Sequence, residues 1–418
     1  MIRLPRMIRL PRVFFALLAL AATAHAGESV LYSFNGGSGG DAPLGGLIHG
    51  PKGSFYGTAE AGGSASQGVV YQLFPPSSVG GSWTETVLHS FQGGNDGARP
   101  YSDMVRDNAG NLYGVTYYGG GVDDFGTVYE LSHSSKGWTE KVIYAFQGLG
   151  VGDGCSPNGA LYVSPDGTLY GTTVYCGTGG YGTVFQLSQS AGVWTEKVIY
   201  SFTGGSDGGE PFAGLVADSK GVLYGTTALG GTAQVGTVFS LTSTGSGWSE
   251  AVLHSFAGGA KDGEGPESAL VIDSSGNLFG STPGGMGTTC SGGITGCGMV
   301  FELSHESGAW TETILYTFLG GNDGSQPQGK LVLSGSTLLG TTLSGGGAYC
   351  DNTVGYGCGT VFKLTRSGAT WSETVLHAFQ AGDDGEAPDS GVIGLNGKLY
   401  GTTNLGGSGA AGTFFVIQ

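Results

Sequence analysis

Apolar and polar positions in this chain alternate in short runs, separated by glycine-rich polar stretches, and the runs recur in a fixed order of four. In one unit Met104 and Val105 mark a short apolar strand, and Asp107-Asn108-Ala109-Gly110-Asn111 reads as a turn, with Asx chemistry and a glycine for positive φ. A second strand follows over residues 112–116, and a glycine-rich loop leads to a third over 127–131. After a Ser/Gly turn, Trp138-Thr139-Glu140-Lys141-Val142-Ile143-Tyr144-Ala145-Phe146 reads as the fourth and longest strand. Each run is rich in β-branched and aromatic residues and bounded by turn residues, which predicts four antiparallel strands.

The unit repeats along the chain. Leu31-Tyr32-Ser33-Phe34 recurs at 88–91, 143–146, 199–202, 253–256, 315–318 and 376–379, with closing Phe residues 57, 55, 56, 54, 62 and 61 apart. Leu112-Tyr113-Gly114 has counterparts beginning at Phe55, Leu169, Leu223, Leu278, Leu338 and Leu399. Gly126-Thr127-Val128 has counterparts at Gly68, Gly182, Gly236, Gly298, Gly359 and Gly412. Seven four-strand units predict an all-β fold, a seven-bladed β-propeller. A lone blade buries too little to fold, so both faces of its strands must be apolar, as they are.

The two ends of the repeat complement each other. Residues 28–34 read as a fourth strand without partners, and residues 412–417 as a third strand without a fourth. Pairing them closes the ring and removes two free edges; an open solenoid is the alternative. All six Trp residues (Trp83, Trp138, Trp194, Trp248, Trp310 and Trp371) open the fourth strand, which marks them as packing devices rather than a binding stripe.

Composition narrows the class. Gly supplies 86 of 418 residues and charged residues only 11%, a profile of many short strands with almost no helix. Arg3, Arg6, Arg9 and Arg12, the apolar run 13–22 and Ala24-His25-Ala26 together read as a secretory signal peptide over residues 1–26. Residues 27–418 are then the propeller, and the expected location is secreted, periplasmic or cell-surface. Of the sixteen Lys and Arg, four leave with the leader, so twelve face thirty-two Asp and Glu. Such acidity opposes nucleic acid and anionic membrane as partners, and no nucleic acid partner is expected. No membrane insertion is expected after cleavage, and the ring is expected to be monomeric.

Six cysteines in an exported chain predict disulfides, paired by loop position as Cys155–Cys176, Cys290–Cys297 and Cys350–Cys358. A zinc site built from the last four is the alternative. The loop entering each unit carries Asp-Gly-x-x-Pro, with Asp96, Asp153, Asp207, Asp262, Asp323 and Asp384; the first unit departs, with Asp41-Ala42-Pro43. This loop and the loop between strands two and three should share one face. A ring of carboxylates there suits calcium or sugar, or each Asp caps its own turn. His89, His254 and His377 replace the fourth-strand Tyr and read as packing variants. Arg99, Arg106 and Arg366 are too few for a strong anion clamp. No nucleophile elbow, zincin or phosphate-loop motif is present, so no catalytic residue, resident metal or cofactor is assigned. A carboxylate pair for glycoside cleavage is a matter of spatial separation.

Asp107-Asn108-Ala109-Gly110-Asn111-Leu112-Tyr113-Gly114, Gly126-Thr127-Val128-Tyr129-Glu130-Leu131 and the Trp138 strand together resemble the GloVer tandem repeat of exported, often surface-anchored bacterial proteins, named from Gloeobacter and Verrucomicrobia. The likeness covers essentially the whole mature chain and implies a propeller without assigned functional residues. Two functions follow as expectations. One is a binding module for a glycan or an extracellular protein. The other is a hydrolase or lyase of extracellular polysaccharide, with its site in the central channel.

Overall fold

The computed structural model describes residues 27–287, 290, 296–306, 308–347, 350 and 357–418. The signal peptide read over residues 1–26 lies outside them. Seven antiparallel sheets stand in a ring, six of four strands and one, in blade 3, of five because Gly154–Pro157 also pairs there, which is the seven-bladed propeller that the repeat predicts. Blade 2 is typical, with strands Val105–Arg106, Leu112–Thr116, Thr127–Ser134 and Gly137–Ala145 running outward from the channel. Among the described residues no helix is long and apolar enough to cross a membrane.

The ring closes as the two chain ends predict. Glu28–Ser33 lies antiparallel to Thr413–Ile417, from Glu28 against Ile417 to Ser33 against Thr413, so blade 7 takes its outer strand from the other end of the chain. The second strand of blade 7, Lys398–Thr403, is tied to the first blade's entering loop, where Thr402 Oγ1 donates to the Pro43 carbonyl at 3.2 Å.

A β-bulge breaks the outer pair of strands in every blade. Val128 faces Tyr144 and Tyr129 faces Val142, which leaves Ile143 as the extra residue. The same shift leaves Leu31, Leu88, Ile199, Leu253, Leu315 and Leu376 unpaired in the other blades. The bulge returns the following Tyr or His and Phe to the faces they need, so two adjacent apolar residues both pack.

Aromatic contacts join the blades. The Phe closing each outer strand meets the third-strand aromatic of the next blade, with centroids 5.0 Å apart for Phe34–Tyr71, 5.1 Å for Phe202–Phe239 and 5.1 Å for Phe379–Phe415. Each such aromatic lies opposite a second-strand glycine. A Cβ on Gly225 would stand 2.6 Å from Phe239 Cζ, so the glycine leaves room for the ring. The Trp residues bridge backward, as Trp138 does to Tyr56 and Trp194 to Tyr113. Their role as packing devices is therefore visible in the core itself.

Candidate functional site at the channel mouth

The loop entering strand one and the loop between strands two and three do share a face, joined by short bridges such as Ala98–Tyr118, Gly209–Leu229 and Glu386–Leu405. Cys155–Cys176 crosslinks two such loops, since Gly154 pairs with Cys176 and Cys155 with Tyr175. Cys290–Cys297 and Cys350–Cys358 are bridged as well.

The six repeat Asp residues sit on this face, and each is engaged by its own turn. Asp96 Oδ2 accepts from the Gln92 N–H at 2.7 Å, Asp153 from Gln147 at 2.8 Å and Asp207 from Thr203 at 2.9 Å. Asp262, Asp323 and Asp384 accept from Ala257, Leu319 and Gln380 at 2.7, 2.9 and 2.7 Å. A second carboxyl faces each of them from the outer strand of the next blade. Burial and then the Asp207 charge push Glu250 up to about 7; burial and Asp323 do the same to Glu373. Glu196 rises to about 7 and Glu140 to about 8 through burial and then Asp153 or Asp96. In the first unit Asp41 is not the equivalent residue: it pairs with Ala61, as Ala98 bridges Tyr118, so Gly39 holds the Asp position. Glu85 fills that space and accepts directly from the Tyr32 hydroxyl at 3.0 Å and the Gly40 N–H at 2.8 Å.

Asymmetry enters at the channel. The residue before the entering proline has positive φ in all seven blades: Ala42, Arg99, Ser156, Glu210, Gly265, Gln326 and Ala387, at 54–64°. A left-handed residue ahead of proline is disfavoured locally. Here its N–H is held by the preceding blade, as Arg99 N–H donates to the Gln67 carbonyl at 2.8 Å. The proline packs beneath that blade's Gly-Thr-Val glycine, where a Cβ on Gly126 would stand 2.5 Å from Pro157 Cδ. The scaffold thus fixes the backbone and leaves the side chain free to vary.

The residue after the proline also varies, reading Leu44, Tyr101, Asn158, Phe212, Glu267, Gln328 and Asp389 around the ring. These side chains surround the mouth of a cavity of about 1080 Å³, whose far end is lined by apolar inner-strand residues such as Ile48, Val163 and Ile393. On one side Arg99 Nη1 donates to Glu60 Oε1 at 2.8 Å and to the Tyr101 hydroxyl at 3.3 Å. Tyr101 stands edge-on to Tyr117 with centroids 5.2 Å apart, and Tyr117 to Tyr118 at 4.8 Å. Gln328 Nε2 donates to Glu267 Oε2 at 3.2 Å on the other side. Burial, then the Asp389 charge, pushes Glu267 up to about 7. Asp389 rises to about 6 through burial and then Glu60: the channel wall surrounds it, although water reaches it along the channel.

Tyrosine edges with hydroxyls, carboxyls able to donate or accept, and an amide form a surface that can hydrogen-bond a hydroxyl-rich ligand. Sequence reasoning missed Glu60, Tyr101, Tyr117, Glu267 and Asp389 as a group, and took Arg99 only as a member of a sparse arginine set. The signal was present in the columns of the repeat where the copies disagree.

A closed seven-bladed propeller, with a copied scaffold and an uncopied channel mouth, is the class of protein that fold and site define. The chain belongs to the Gloeobacter/Verrucomicrobia repeat family, whose pattern matches residues 20–215, 77–286 and 285–418. No curated protein matches it in sequence. Among solved structures it is similar to a protein described as the extracellular domain of a one-component system from B. thetaiotaomicron. That match has 10% identity and a TM-score of 0.52 over 93% of this chain and 40% of that one. It is also similar to a fungal alcohol oxidase of the AA5 family in complex with copper, at 12% identity and a TM-score of 0.50 over 91% and 74%. A protein described as a 6-phosphogluconolactonase from Bacteroides uniformis ATCC 8492 aligns at 15% identity and a TM-score of 0.48 over 79% and 83%. At these identities the likeness is one of fold alone.

Proposed function

We propose that this is an exported glycan-binding propeller whose channel mouth holds a segment of a neutral or cationic oligosaccharide. The observation that carries the reading is the gathering of Tyr101, Tyr117, Glu267 and Asp389 around the cavity, with Glu60 accepting from the Tyr101 hydroxyl, at repeat positions where the copies differ. Aromatic rings offer faces to the apolar side of a sugar ring, and carboxyls and amides pair with its hydroxyls. The three disulfides fit an oxidising compartment. Glycan-array screening of the purified chain, followed by calorimetry on the hits, tests it. Tyr101→Ala and Glu267→Gln should each weaken binding at least tenfold without changing the melting temperature. Binding that survives both would refute the placement.

A second reading, cleavage of a polysaccharide in the channel, is favoured by one observation. Glu267 and Asp389 line the same mouth, and burial with the neighbouring Asp389 charge raises Glu267 to about 7, the range in which a carboxyl serves as general acid. Release of reducing ends that stops in Glu267→Gln while binding persists would place the protein in that class.

A further inference from the structure

Three blade interfaces carry histidine where four carry tyrosine: His89, His254 and His377 against Tyr32, Tyr144, Tyr200 and Tyr316. At the tyrosine interfaces that hold the repeat Asp, the hydroxyl donates to it, at 2.7 Å for Tyr144–Asp153 and 3.1 Å for both Tyr200–Asp207 and Tyr316–Asp323. An imidazole nitrogen in the same place offers something a hydroxyl does not, a strong lone pair for a metal ion. His89 meets Asp96 and Glu140, His254 meets Asp262 and Glu312, and His377 meets Asp384 and Glu28, with donor atoms within 4.8 Å of one another in each group.

The geometry is clearest at His254. Its Nε2 stands 3.4 Å from Asp262 Oδ2 and 3.6 Å from Glu312 Oε2 without a hydrogen bond to either, whereas His89 and His377 hydrogen-bond Asp96 and Asp384 at 3.2 and 3.1 Å. Donors about 2.1 Å from a tetrahedral ion stand about 3.4 Å from one another, close to the two distances seen from His254 Nε2. Glu312 Oε1, Glu140 Oε1 and Glu28 Oε1 are buried without a hydrogen bond, as are Glu196, Glu250 and Glu373 Oε1 at the tyrosine interfaces, so the difference between the two sets lies in the imidazole. Asp262 is held in place by the Ala257 and Gly263 N–H groups, both at 2.7 Å, as an outer shell orients a metal ligand.

We propose that these three interfaces are divalent transition-metal sites, with zinc the ion of choice, each clamping one blade to the next. The His comes from the outer strand of one blade, the Asp from the loop that follows it and the Glu from the outer strand of the neighbouring blade. One imidazole and two carboxylates suit zinc, with a fourth position left for water or a ligand group. Calcium, expected on the Asp face, takes about six to eight oxygens and suits the set poorly.

The test uses the full exported chain, stripped with chelator and titrated with zinc chloride at neutral pH by calorimetry, with metal content measured on the product. Saturable uptake should approach three ions per chain, one for each group. His254→Tyr installs the residue found at four other interfaces; it should lose one ion per chain while melting like the stripped parent. Tyr200→His should gain one. If His254→Tyr does not fold, Glu312→Gln must show the same loss. No saturable uptake up to millimolar zinc would overturn the proposal, as would a stoichiometry indifferent to these changes.

Discussion

The paired carboxyls at the tyrosine interfaces make stability depend on pH in a direction opposite to that of an ordinary salt-bridged acid. Glu196, Glu250 and Glu373 face Asp153, Asp207 and Asp323 across neighbouring blades, beside Tyr144, Tyr200 and Tyr316. Each is pushed from 4.5 to about 7, first by burial and then by the Asp charge. A carboxyl whose folded pKa is raised keeps its proton longer in the native state. Its contribution is therefore whole below the unfolded value of 4.5, declines as pH rises through about 7 and stays reduced above. The gap sets a ceiling of about 3 kcal/mol per site. These side chains are only half-buried, and solvent screening brings the figure to about 1 kcal/mol each. The triple variant Glu196→Gln/Glu250→Gln/Glu373→Gln carries no charge at these positions at any pH, so it should match the parent in mild acid. In mild alkali it should be more stable by about 3 kcal/mol, the sites lying at separate interfaces. For a chain of this length that is about 4 °C in melting temperature. Scanning calorimetry at both pH values, with salt matched, reads the difference between parent and variant. A difference independent of pH would show that these glutamates are not held protonated and would refute the reasoning.

Other expectations follow from the scaffold. Deleting residues 27–34 exposes the edge of Thr413–Ile417 and should lower the melting temperature of the whole ring, not of one blade; separate transitions in calorimetry would argue against a closed fold. Gly225→Ala drives a methyl group into the Phe239 ring, 2.6 Å from Cζ, and overpacking of this kind costs about 1–3 kcal/mol by urea denaturation. Replacing Cys155 and Cys176 by Ser opens a loop with a sequence separation of 21 residues and should cost about 3 kcal/mol on the chain-entropy view, read from the shift in denaturation midpoint.

The repeat made most of the architecture legible, because blade order, strand number and the seam between the two ends all appear as recurring patterns. Cys155 and Cys176 were paired from their positions in the blade alone. The bulge was harder to see. Val142 and Ile143 break the alternation, but both are apolar, so a continuous strand accommodates the pattern equally well until the partner strand supplies the register. The left-handed residue before each proline runs against local preference; only the hydrogen bond from the preceding blade explains it. The mouth escaped notice for a different reason. Recurrence reveals scaffold, while Tyr101, Glu267 and Asp389 are informative because they do not recur. The unequal residues at one column converge only when the sheets are arranged around an axis.

The seam of blade 7 also orders events in time. Synthesis delivers Glu28–Ser33 well before Thr413–Ile417, so this strand waits for all the other strands of the ring before it finds its partner. Such a contact spans the whole ring in sequence and forms late in folding. A product truncated ahead of residue 413 then keeps two unpaired edges and an open ring, a state prone to association and degradation. The same joint that holds the ring closed thus acts as a check that all seven blades have been made.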